Sequence, residues 1–591
     1  MVNQTYTADV LVVGGGTGGT AAAIQAARRG AKTILVSEFS WLGGMLTSAG
    51  VSAPDGNELE AFQTGLWGAF LQELQQRQAG GLDNSWVSFF SYDPRVGAEI
   101  FADWVRELPN LLWISGYVPL EVFQEGDCIT GVRFADFTIK AQVTLDATEL
   151  GDLLALADTS YRWGWELQSE FGEISAPADF NYLTEKYPVQ APTWVVVMQD
   201  YGETVAPEIP PAPNYDPSLF ADAWDDYGAE NFLNYGRLPG NRFMINWPIH
   251  GNDYGEGVGR LIESESARRN FQRESLWHSQ NFAYFIQDQF GRRYGLANGI
   301  FPQIQNQTGA CALHPYYRES RRLVGLTTIR EQDILPVAGG SVAALNIDAI
   351  AIGNYANDHH YPGVKFDLQP KSIRWGGRWT GTPFTIPYRC LIPVETDGLL
   401  VCEKNISVSH IANGATRLQP VVMGIGQAAG MAAAICVELN CQPRDLPVRV
   451  LQTALLLDKI APAAVIPLFN LSPTNTNWLH WQRYYLDHPE AYPCSGYCPV
   501  DFDYQYFYDS IKTGHEQHFN WFKGIFHRLD QQDYRFTIMI PASYKDQIWQ
   551  LVTLRSHINE QLQSLSHGQK INIWGRLNHA GHWLLVENTH C

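Results

Sequence analysis

The sequence predicts an α/β fold in three parts: a domain built on a parallel sheet, a β-rich domain inserted into it, and a small C-terminal α+β or OB-like domain. Three observations predict it, namely a strand–helix–strand pattern near the N-terminus, a middle region rich in Trp, Tyr, Asn and Pro, and short alternating apolar runs near the C-terminus. The length of 591 residues exceeds what one hydrophobic core usually serves, so we expect two to four domains.

The N-terminal segment ADVLVVGGGTGGTAAAIQAARRGAKTILVSE, residues 8–38, predicts a β-α-β unit. Its first apolar run is short and β-branched, which suits a strand buried on both faces. Thr17 to Arg29 has helical Ala/Ile periodicity that ends at Gly30, and Lys32 to Val36 is a second strand.

Gly14, Gly16 and Gly19 stand between the first strand and the helix with the spacing G-x-G-x-x-G. The first glycine permits a tight turn, the second lets the backbone approach a pyrophosphate, and the third lets the helix pack on the strand. The N–H groups and partial positive charge of the helix N-terminus would then meet the phosphates. Glu38 ends the second strand, where a carboxylate accepts hydrogen bonds from both ribose hydroxyls and disfavours NADP. These residues predict a Rossmann-type dinucleotide site.

FAD and NAD both use such a site, and three later segments favour FAD. SWLGGMLTSAG, residues 40–50, carries paired glycines that let the backbone run close to a flat ligand. VTLDATELGDLLALA, residues 143–157, has the pattern of a strand returning beside the adenosine, after a polar hairpin at Glu125 to Arg133.

The third segment combines a strand and polar turn, GLLVCEKNISVSH at residues 398–410, with a long helix in SHIANGATRLQPVVMGIGQAAGMAAAI, residues 409–435. Gly424, Gly426 and Gly430 give this helix a small face that can pack close to sheet or ligand. Its N-terminus would stabilise negative charge on a reduced flavin. A helix that is merely buried against the sheet is the alternative.

These segments together resemble the bacterial FAD-dependent oxidoreductases of the glutathione-reductase-type flavoprotein superfamily, over roughly residues 8–460. FMINWPIHGNDY at 243–254 and RESRRLVG at 318–325 add to the resemblance. It implies FAD as the cofactor, with binding residues in three groups. The residues that would hold the ADP half are Gly14, Gly15, Gly16, Thr17, Gly19 and Glu38. Those that would approach the flavin are Gly43 and Gly44. Those that would hold the flavin–ribityl end are Asn405, Ser407, Arg417 and Gln419. One departure is Cys402-Glu403-Lys404, where many relatives have Gly or Ala followed by Gly or Asp.

The resemblance implies a discontinuous FAD-binding domain formed by residues 1–160 and 311–460. Residues 161–310 lack clean helical periodicity and are expected to form a sheet with long loops, the substrate or cap domain. Residues 461–591 would form an accessory domain after a linker at about 461–512, and the alternating runs at its end suggest a small β-barrel or a sheet with a helix.

Candidate catalytic residues come from three places. His410, just before the flavin-facing helix, would take a proton while hydride leaves for the flavin, because imidazole titrates near neutral pH. His250 is the rival base, and a purely structural turn is the alternative for both. Arg318 and Arg322 are predicted to share one face of a helix, where either would clamp a carboxylate or a developing flavin anion. With Glu319 beside them, an interdomain ion-pair network is the alternative.

Acidic residues outnumber basic ones, 61 against 41, which gives a formal net charge of -20. That field repels nucleic acid and anionic lipid surfaces and suits a small or neutral partner. The N-terminus does not resemble a signal peptide, and the longest weakly polar run, Val421 to Val437, is too rich in Gly and Ala to predict a membrane span. Nine Cys are scattered without a C-x-x-C spacing, so we expect no metal site. A cytoplasmic protein is expected.

The predicted function is an FAD-dependent oxidoreductase that accepts hydride from a small organic substrate. No second G-x-G-x-x-G follows another strand, so the substrate, not NAD(P)H, is the expected reductant. The sequence identifies neither the substrate, nor the electron acceptor (O2, a quinone or a carrier protein), nor the oligomeric state. Two alternatives stay open: a flavin-containing interaction or assembly factor, and a nucleic-acid-modifying flavoenzyme that uses its C-terminal domain.

Overall fold

The computed structural model describes residues 4–303, 307–370, 372–499 and 520–590. Its central sheet is built mainly from the N-terminal part of the chain. The elements of that part are β1 (Gln4–Val13), α1 (Thr17–Arg28), β2 (Thr33–Ser37), α2 (Gly65–Arg77), α3 (Pro94–Arg106), β3 (Leu111–Ser115), β4 (Glu121–Glu125), β5 (Cys128–Arg133), β6 (Phe137–Asp146) and α4 (Asp152–Leu156).

The strands of this sheet lie in the order β3-β2-β1-β6-β5-β4. β1 pairs parallel with β2 and with β6, whereas β4 and β5 form an antiparallel hairpin on the edge of β6. The last four residues of β1 are buried, as expected for a strand covered on both faces. The predicted β-α-β unit, the hairpin and the returning strand are therefore confirmed.

Residues 161–303 form a second sheet and a long helix beside it. The elements are β7 (Tyr161–Arg162), α5 (Gln168–Phe171), α6 (Tyr182–Lys186), β8 (Val196–Asp200), α7 (Ala229–Tyr235), β9 (Arg237–Leu238), β10 (Arg242–Ile245), α8 (Arg260–Glu263), α9 (Glu265–Phe290) and β11 (Tyr294–Leu296). The antiparallel sheet has the order β11-β8-β10-β9, which agrees with the predicted sheet.

The sequence analysis missed α9, a helix of 26 residues. Its buried positions include Phe271, Ser275, Ser279, Phe282 and Ile286, which follow helical spacing. Two of these five are serines, so polar residues interrupt the apolar pattern of the buried face. A search for apolar periodicity therefore does not detect it.

The chain then returns to the central sheet. The elements are β12 (Arg322–Leu323), β13 (Ala349–Asn354), β14 (Ser372–Trp375), β15 (Arg378–Gly381), β16 (Pro383–Pro387), β17 (Leu399–Val401), α10 (His410–Thr416), α11 (Gln419–Leu439) and α12 (Val448–Leu456). β17 pairs parallel with β6, so the predicted late strand lies in the central sheet.

The predicted helix over Arg318 to Arg322 is wrong. Arg322 begins the short strand β12, which pairs antiparallel with β7. Its guanidinium is buried in an ion pair with Glu166, and the extended backbone brings the two residues together across the chain. This tertiary ion pair overrides the local i, i+4 signal.

The C-terminal part ends in a closed five-stranded barrel. The elements are α13 (Trp478–Asp487), β18 (Asn520–Asp530), β19 (Asp533–Ile540), β20 (Ile548–Val552), α14 (Ser556–Ser564), β21 (Lys570–Asn578) and β22 (Trp583–His590). The strand order is β18-β19-β20-β22-β21, with α14 between the third and fourth strands. A five-stranded barrel of this kind confirms the OB-like prediction.

The linker was predicted at about residues 461–512, and the structure describes its first part, residues 461–499. Val465, Ile466 and Phe469 of this part are buried in the main core. Residues 500–512 lie outside the described residues.

α11 is the one helix in the described part of the chain that is long and apolar enough to cross a membrane. In the fold, 89% of its most apolar window is buried. It packs against α1, where a Cβ at Gly426 would lie 2.1 Å from the carbonyl oxygen of Gly18 and one at Gly430 would lie 2.1 Å from that of Ala22. Of the three glycines predicted to form a small face, Gly426 and Gly430 serve helix–helix packing, and Gly424 lies next to Ala351 of β13.

Candidate functional site

The glycine turn between β1 and α1 has the conformation that its predicted role requires. Gly14 has a φ of +115°, and a Cβ there would lie 2.0 Å from the carbonyl oxygen of Ala147, so a side chain is excluded. Neither Gly15 nor Gly16 donates its backbone N–H to an acceptor among the described residues. Two free donors thus stand at the N-terminus of α1, where an anion binds favourably.

The Gly43–Gly44 loop lies directly against this turn. The Gly43 N–H donates to the Gly15 carbonyl at 3.0 Å, and the Thr17 hydroxyl donates to the Gly43 carbonyl at 2.8 Å. A Cβ at Gly44 would lie 2.7 Å from the Cα of Gly16. The structure therefore brings together the two glycine segments that the sequence analysis assigned to one ligand.

A cavity of about 610 Å³ opens at the glycine turn, a volume typical of small-molecule sites. The predicted site residues that line it are Gly14, Gly15, Gly16, Glu38 and Gly44. Burial raises the pKa of Glu38 to about 7, and the nearby Asp152 carboxylate raises it further, against the guanidinium of Arg268.

The departure at Glu403 and Lys404 forms a buried ion cluster over the same turn. Lys404 Nζ lies 2.7 Å from Glu149 Oε2 and 3.1 Å from Glu403 Oε2. Glu403 also accepts a hydrogen bond of 2.6 Å from the Gly18 N–H, so it caps one amide of the first turn of α1. Burial raises the pKa of Glu403 to about 7, and Lys404 opposes this. The members of this cluster nearest to Gly16 are the carboxylates of Glu403 and Glu149, which Lys404 neutralises in part.

A family model described as FAD dependent oxidoreductase matches residues 9–455. The chain belongs to this family. The match covers the central sheet, the inserted sheet with α9, and α10 to α12, and it ends before the barrel. No curated protein matches the chain.

Solved flavoprotein structures are similar only at a low level. A geranylgeranyl bacteriochlorophyll reductase-like protein from Thermoplasma acidophilum is 12% identical, covers 76% of this chain and 84% of its own, and has a TM-score of 0.30. Thioredoxin reductase from T. acidophilum is 19% identical over 28% of this chain and 41% of its own, with a TM-score of 0.16. GidA from Aquifex aeolicus is 20% identical over 24% of this chain and 25% of its own, with a TM-score of 0.18. This chain therefore spans well under two thirds of the last two proteins, and scores of this size support no argument about function.

The glycine turn fits the FAD that this oxidoreductase family uses. The free amides of Gly15 and Gly16 would hold the pyrophosphate, and Glu38 at the far wall of the cavity would accept the ribose hydroxyls. Bound FAD supplies a two-electron acceptor.

Replacing Glu38 with Gln is expected to weaken FAD binding roughly 30-fold at pH 8, or about 2 kcal/mol, because charge-assisted bonds to the ribose are lost. In the free site the pKa of Glu38 is raised to about 7 by burial. Ribose donors favour the ionised carboxylate, so binding releases a proton below that pKa. Affinity should therefore fall as the pH is lowered through 7 and stay level above it. Titration of apoprotein with FAD between pH 6 and pH 8, followed by flavin fluorescence, measures this dependence.

The Glu38→Gln variant provides the matched control for that pH series, since the Gln amide does not titrate. Its FAD affinity should be the same across the series. A wild-type protein whose affinity does not change with pH, or a variant that keeps the slope, would show that Glu38 does not touch the ribose.

Asn405 and Ser407 are fully buried and hydrogen bonded within the chain. The Asn405 amide donates to the Asp146 carbonyl at 3.1 Å, and the Ser407 hydroxyl accepts from the Gly325 N–H at 3.1 Å. Neither lines the 610 Å³ cavity. Their predicted contact with the ribityl end stays a prediction.

Arg417 and Gln419 retain unused polar atoms at the junction of α10 and α11. Arg417 Nη1 donates to the Tyr316 hydroxyl at 2.6 Å, but Arg417 Nε and Gln419 Oε1 have no hydrogen-bond partner in the part of the chain that the structure describes. Both residues are 2% exposed. The first turn of α11 lies beside that of α1, since a Cβ at Gly18 would lie 3.3 Å from the Val422 side chain. The two helix N-termini proposed to hold FAD are therefore neighbours.

His410 is fully buried and both of its ring nitrogens are engaged. Nδ1 lies 2.9 Å from Glu319 Oε1 and Nε2 lies 2.5 Å from the Tyr361 hydroxyl, with the Trp165 ring centroid 3.9 Å away. Burial lowers its pKa well below the ordinary value. His250 lies elsewhere, exposed in a turn with a φ of +45°. Neither lines the 610 Å³ cavity, and the catalytic role of each stays a prediction.

Arg318 and Arg322 lie in the ion-pair network that was the alternative prediction for them. Arg322 pairs with Glu166 at 2.7 Å and with Glu319 at 3.0 Å, and Arg318 pairs with Asp253 at 3.0 Å. Both guanidiniums are at most 1% exposed. Removing one partner would leave a buried charge unpaired, which is strongly destabilising.

The sequence analysis missed a series of hydrogen-bonded titratable side chains next to Arg417. His360 lies between two carboxylates, with Nδ1 2.7 Å from Asp253 Oδ2 and Nε2 2.8 Å from Asp358 Oδ2. Arg417 Nη2 lies 3.4 Å from Asp358 Oδ2. The segment NDHHYPG, residues 357–363, was the available signal, because it concentrates titratable side chains in a polar turn.

Asp55 is a second residue that the sequence analysis missed. It is half-buried, and its carboxylate has no hydrogen-bond or ion-pair partner among residues 4–303, 307–370, 372–499 and 520–590. Burial raises its pKa well above the ordinary value, the Glu58 carboxylate raises it further, and Arg378 and Arg417 lower it. The next residue, Gly56, faces α11, since a Cβ there would lie 3.6 Å from the Leu418 side chain.

Proposed function

We propose that this oxidoreductase removes hydride from a small organic substrate and passes the electrons to a separate acceptor. The observation that carries the proposal is the half-buried Asp55 carboxyl, which has no partner among the described residues and lies in the loop beside Leu418, the residue that precedes α11. Oxidation of an alcohol or amine carbon requires a proton acceptor as well as a hydride acceptor. Asp55 would provide the first, and bound FAD the second.

The raised pKa of Asp55 suits this role. A general base works best when its pKa lies near the operating pH, and burial tunes a carboxyl group in that direction. Asp358 is a poorer proton acceptor. Burial alone would raise its pKa, but His360 and Arg417 hold that pKa well below its usual range. An anionic Asp358 held by His360 and Arg417 would instead orient a substrate hydroxyl or amine.

A hydrogen-bonded chain gives His410 a positioning role in this proposal. His410 contacts Tyr361, whose hydroxyl lies 2.7 Å from His359 Nδ1. His359 and Tyr361 flank His360, so His410 would hold the 358–361 segment in place from α10. It would then support the site without touching substrate.

The barrel contacts support a structural role for the C-terminal domain. OB-folds bind ligands with the loops that follow their first and fourth strands. Here Gln532, in the first of these loops, accepts from the Gly376 N–H at 2.9 Å, and Trp583, beside the second, donates to Asp83 Oδ2 at 3.2 Å. Asn578 donates to the Ser85 carbonyl at 2.8 Å. These loops are engaged by the chain itself, which favours neither the nucleic-acid nor the assembly alternative.

Anaerobic addition of the true substrate to the yellow holoprotein is expected to bleach the flavin absorbance near its visible maximum. Panels of alcohols, amines, hydroxy acids and saturated carbonyl compounds would be tested separately. Readmitting O2, or adding a quinone, would then identify the acceptor by the return of the yellow colour.

NADH and NADPH serve as the controls in this screen. Bleaching by either one, with none by any organic compound, would contradict the proposal that the substrate is the reductant. Dithionite bleaching would confirm in the same preparation that the bound flavin can be reduced.

A further inference from the structure

Five polar side chains from distant parts of the chain come together near the start of α11, and they are here called the inner polar site: Asp55, Tyr235, Tyr355, Asp358 and Arg417. Burial raises the pKa of both tyrosines most, and the carboxylates of Asp55 and Asp358 raise each of them further. Groups that perturb one another in this way are close neighbours. A Cβ at Gly56 would lie 3.6 Å from both Leu418 and Tyr355, which ties the loop of Asp55 to α11 and to the end of β13.

The inner polar site contains hydrogen-bonding groups that the protein does not satisfy. Among the described residues, no partner contacts the Asp55 carboxylate or the hydroxyls of Tyr235 and Tyr355. Arg417 is only 2% exposed, yet its Nε also lacks an acceptor. The side chains of Asp55, Tyr235 and Tyr355 are only partly buried, so water reaches them, and a ligand with donors and acceptors would replace that water. Arg417 Nε is buried, and a buried polar atom without a partner marks a place where a ligand can supply the missing bond.

The fixed charges around the inner polar site balance. The carboxylates of Asp55, Asp253 and Asp358 are opposed by three guanidiniums, those of Arg318, Arg378 and Arg417, with Arg318 3.0 Å from Asp253 and Arg417 3.4 Å from Asp358. Burial raises the pKa of Glu58, which favours its neutral form. A charged ligand would upset this balance and leave one charge unpaired. A neutral ligand with many donors and acceptors fits the same groups without that penalty.

Aromatic rings form part of the wall. The Tyr235 ring meets Trp86 edge-on with centroids 5.0 Å apart and Trp247 with centroids 5.1 Å apart. Small-molecule sites combine such apolar walls with a few placed polar groups. A saturated ring that carries several hydroxyls presents C–H surface to the rings and O–H groups to the rim.

We propose that the inner polar site binds a neutral polyhydroxylated ring compound, a sugar or cyclic polyol, and that one of its secondary hydroxyls is oxidised there. This inference rests on the function proposed above. In the reaction C–H and O–H bonds break and a C=O bond forms: the hydride goes to bound FAD, which is reduced, and the hydroxyl proton goes to Asp55. Asp358 and the two tyrosine hydroxyls would hold the remaining hydroxyls.

Binding can be measured separately from turnover by calorimetry of the holoprotein. The probes are glucose and myo-inositol, with glucosamine and glucuronate as cationic and anionic analogues of the same shape. We expect at least one neutral probe to bind, and we expect glucosamine and glucuronate to bind at least about tenfold more weakly than that probe. Tyr235→Phe and Tyr355→Phe, which remove only a hydroxyl, should each weaken the neutral probe roughly fivefold.

Tyr182→Phe is the matched control, because Tyr182 is 71% exposed and lies outside the site. It should leave the calorimetric Kd unchanged. The inference is overturned if neither neutral probe binds, if a charged analogue binds as tightly, or if both site variants bind like the control. If the inference fails in one of these ways but another substrate class bleaches the flavin, the proposed function stands. If a polyol binds but no compound bleaches the flavin anaerobically, the binding site stands and the proposed function is wrong.

Discussion

Replacing Asp55 with Asn is expected to lower the rate of anaerobic flavin reduction on the order of 100-fold to 10,000-fold while FAD and substrate remain bound. Asn has the size of Asp and keeps one acceptor oxygen, but it does not take up a proton. Because the Asp55 carboxyl has no partner among the described residues, the change breaks no ion pair and should leave the fold intact. Stopped-flow absorbance under saturating substrate measures the rate, and flavin content measures cofactor binding.

The pH profile separates a base from a merely structural carboxyl. Burial raises the pKa of Asp55 well above its ordinary value, and the base acts only when ionised. The wild-type rate should therefore rise with pH until that raised pKa is passed, and the Asn variant should lose this limb. The charged or titratable groups that face Asp55 are unchanged in the variant: Glu58, Arg378, Asp358 and Arg417.

Two further variants provide the controls for Asp55. Asp367→Asn changes a side chain that is 88% exposed and pairs only with exposed Lys365, so its rate should equal that of the wild type. Asp55→Glu keeps a carboxyl and should recover part of the rate. An Asn variant that reduces its flavin at the wild-type rate would rule out Asp55 as the base.

The N-terminal half of the candidate site could be predicted from sequence because its signals are local. The glycine spacing, the buried strand before it and Glu38 after it lie within residues 8–38, and each has a backbone or charge requirement that one residue type meets. The positive φ of Gly14 is a consequence of this local glycine pattern. The OB-like barrel was predictable for a similar reason, since alternation within each strand is also a local pattern.

The substrate side could not be predicted in this way. Its residues come from the loop at Asp55, the end of α7, the segment after β13 and the end of α10, and no spacing links them along the chain. Only tertiary packing decides that His360 lies between two carboxylates or that Asp55 has no partner. The same packing explains the wrong helix at Arg318 to Arg322, where buried ion pairs require an extended backbone.

Alanine substitution is expected to destabilise the protein strongly at Gly426 and only slightly at Gly424, although the two residues lie on the same helix. A Cβ at Gly426 would lie 2.1 Å from the carbonyl oxygen of Gly18, and this backbone atom has no rotamer by which to move away. The variant should lose about 3 kcal/mol of unfolding free energy or more, because α1 and α11 must separate. Urea unfolding followed by far-UV circular dichroism measures the loss.

Gly424→Ala is the control, since its Cβ would meet only the Ala351 Cβ at 3.3 Å. Slight crowding there should offset part of the gain of about 1 kcal/mol from alanine's higher helix propensity, so its stability should stay within about 1 kcal/mol of the wild type. The Gly426 variant should also bind FAD more weakly, because α1 carries the glycine turn at its N-terminus. That coupling tests the arrangement of the two helices. If Gly426→Ala unfolds like Gly424→Ala and retains full flavin content, α11 does not lie on α1 at backbone contact, and the two helix N-termini are not fixed beside one cofactor.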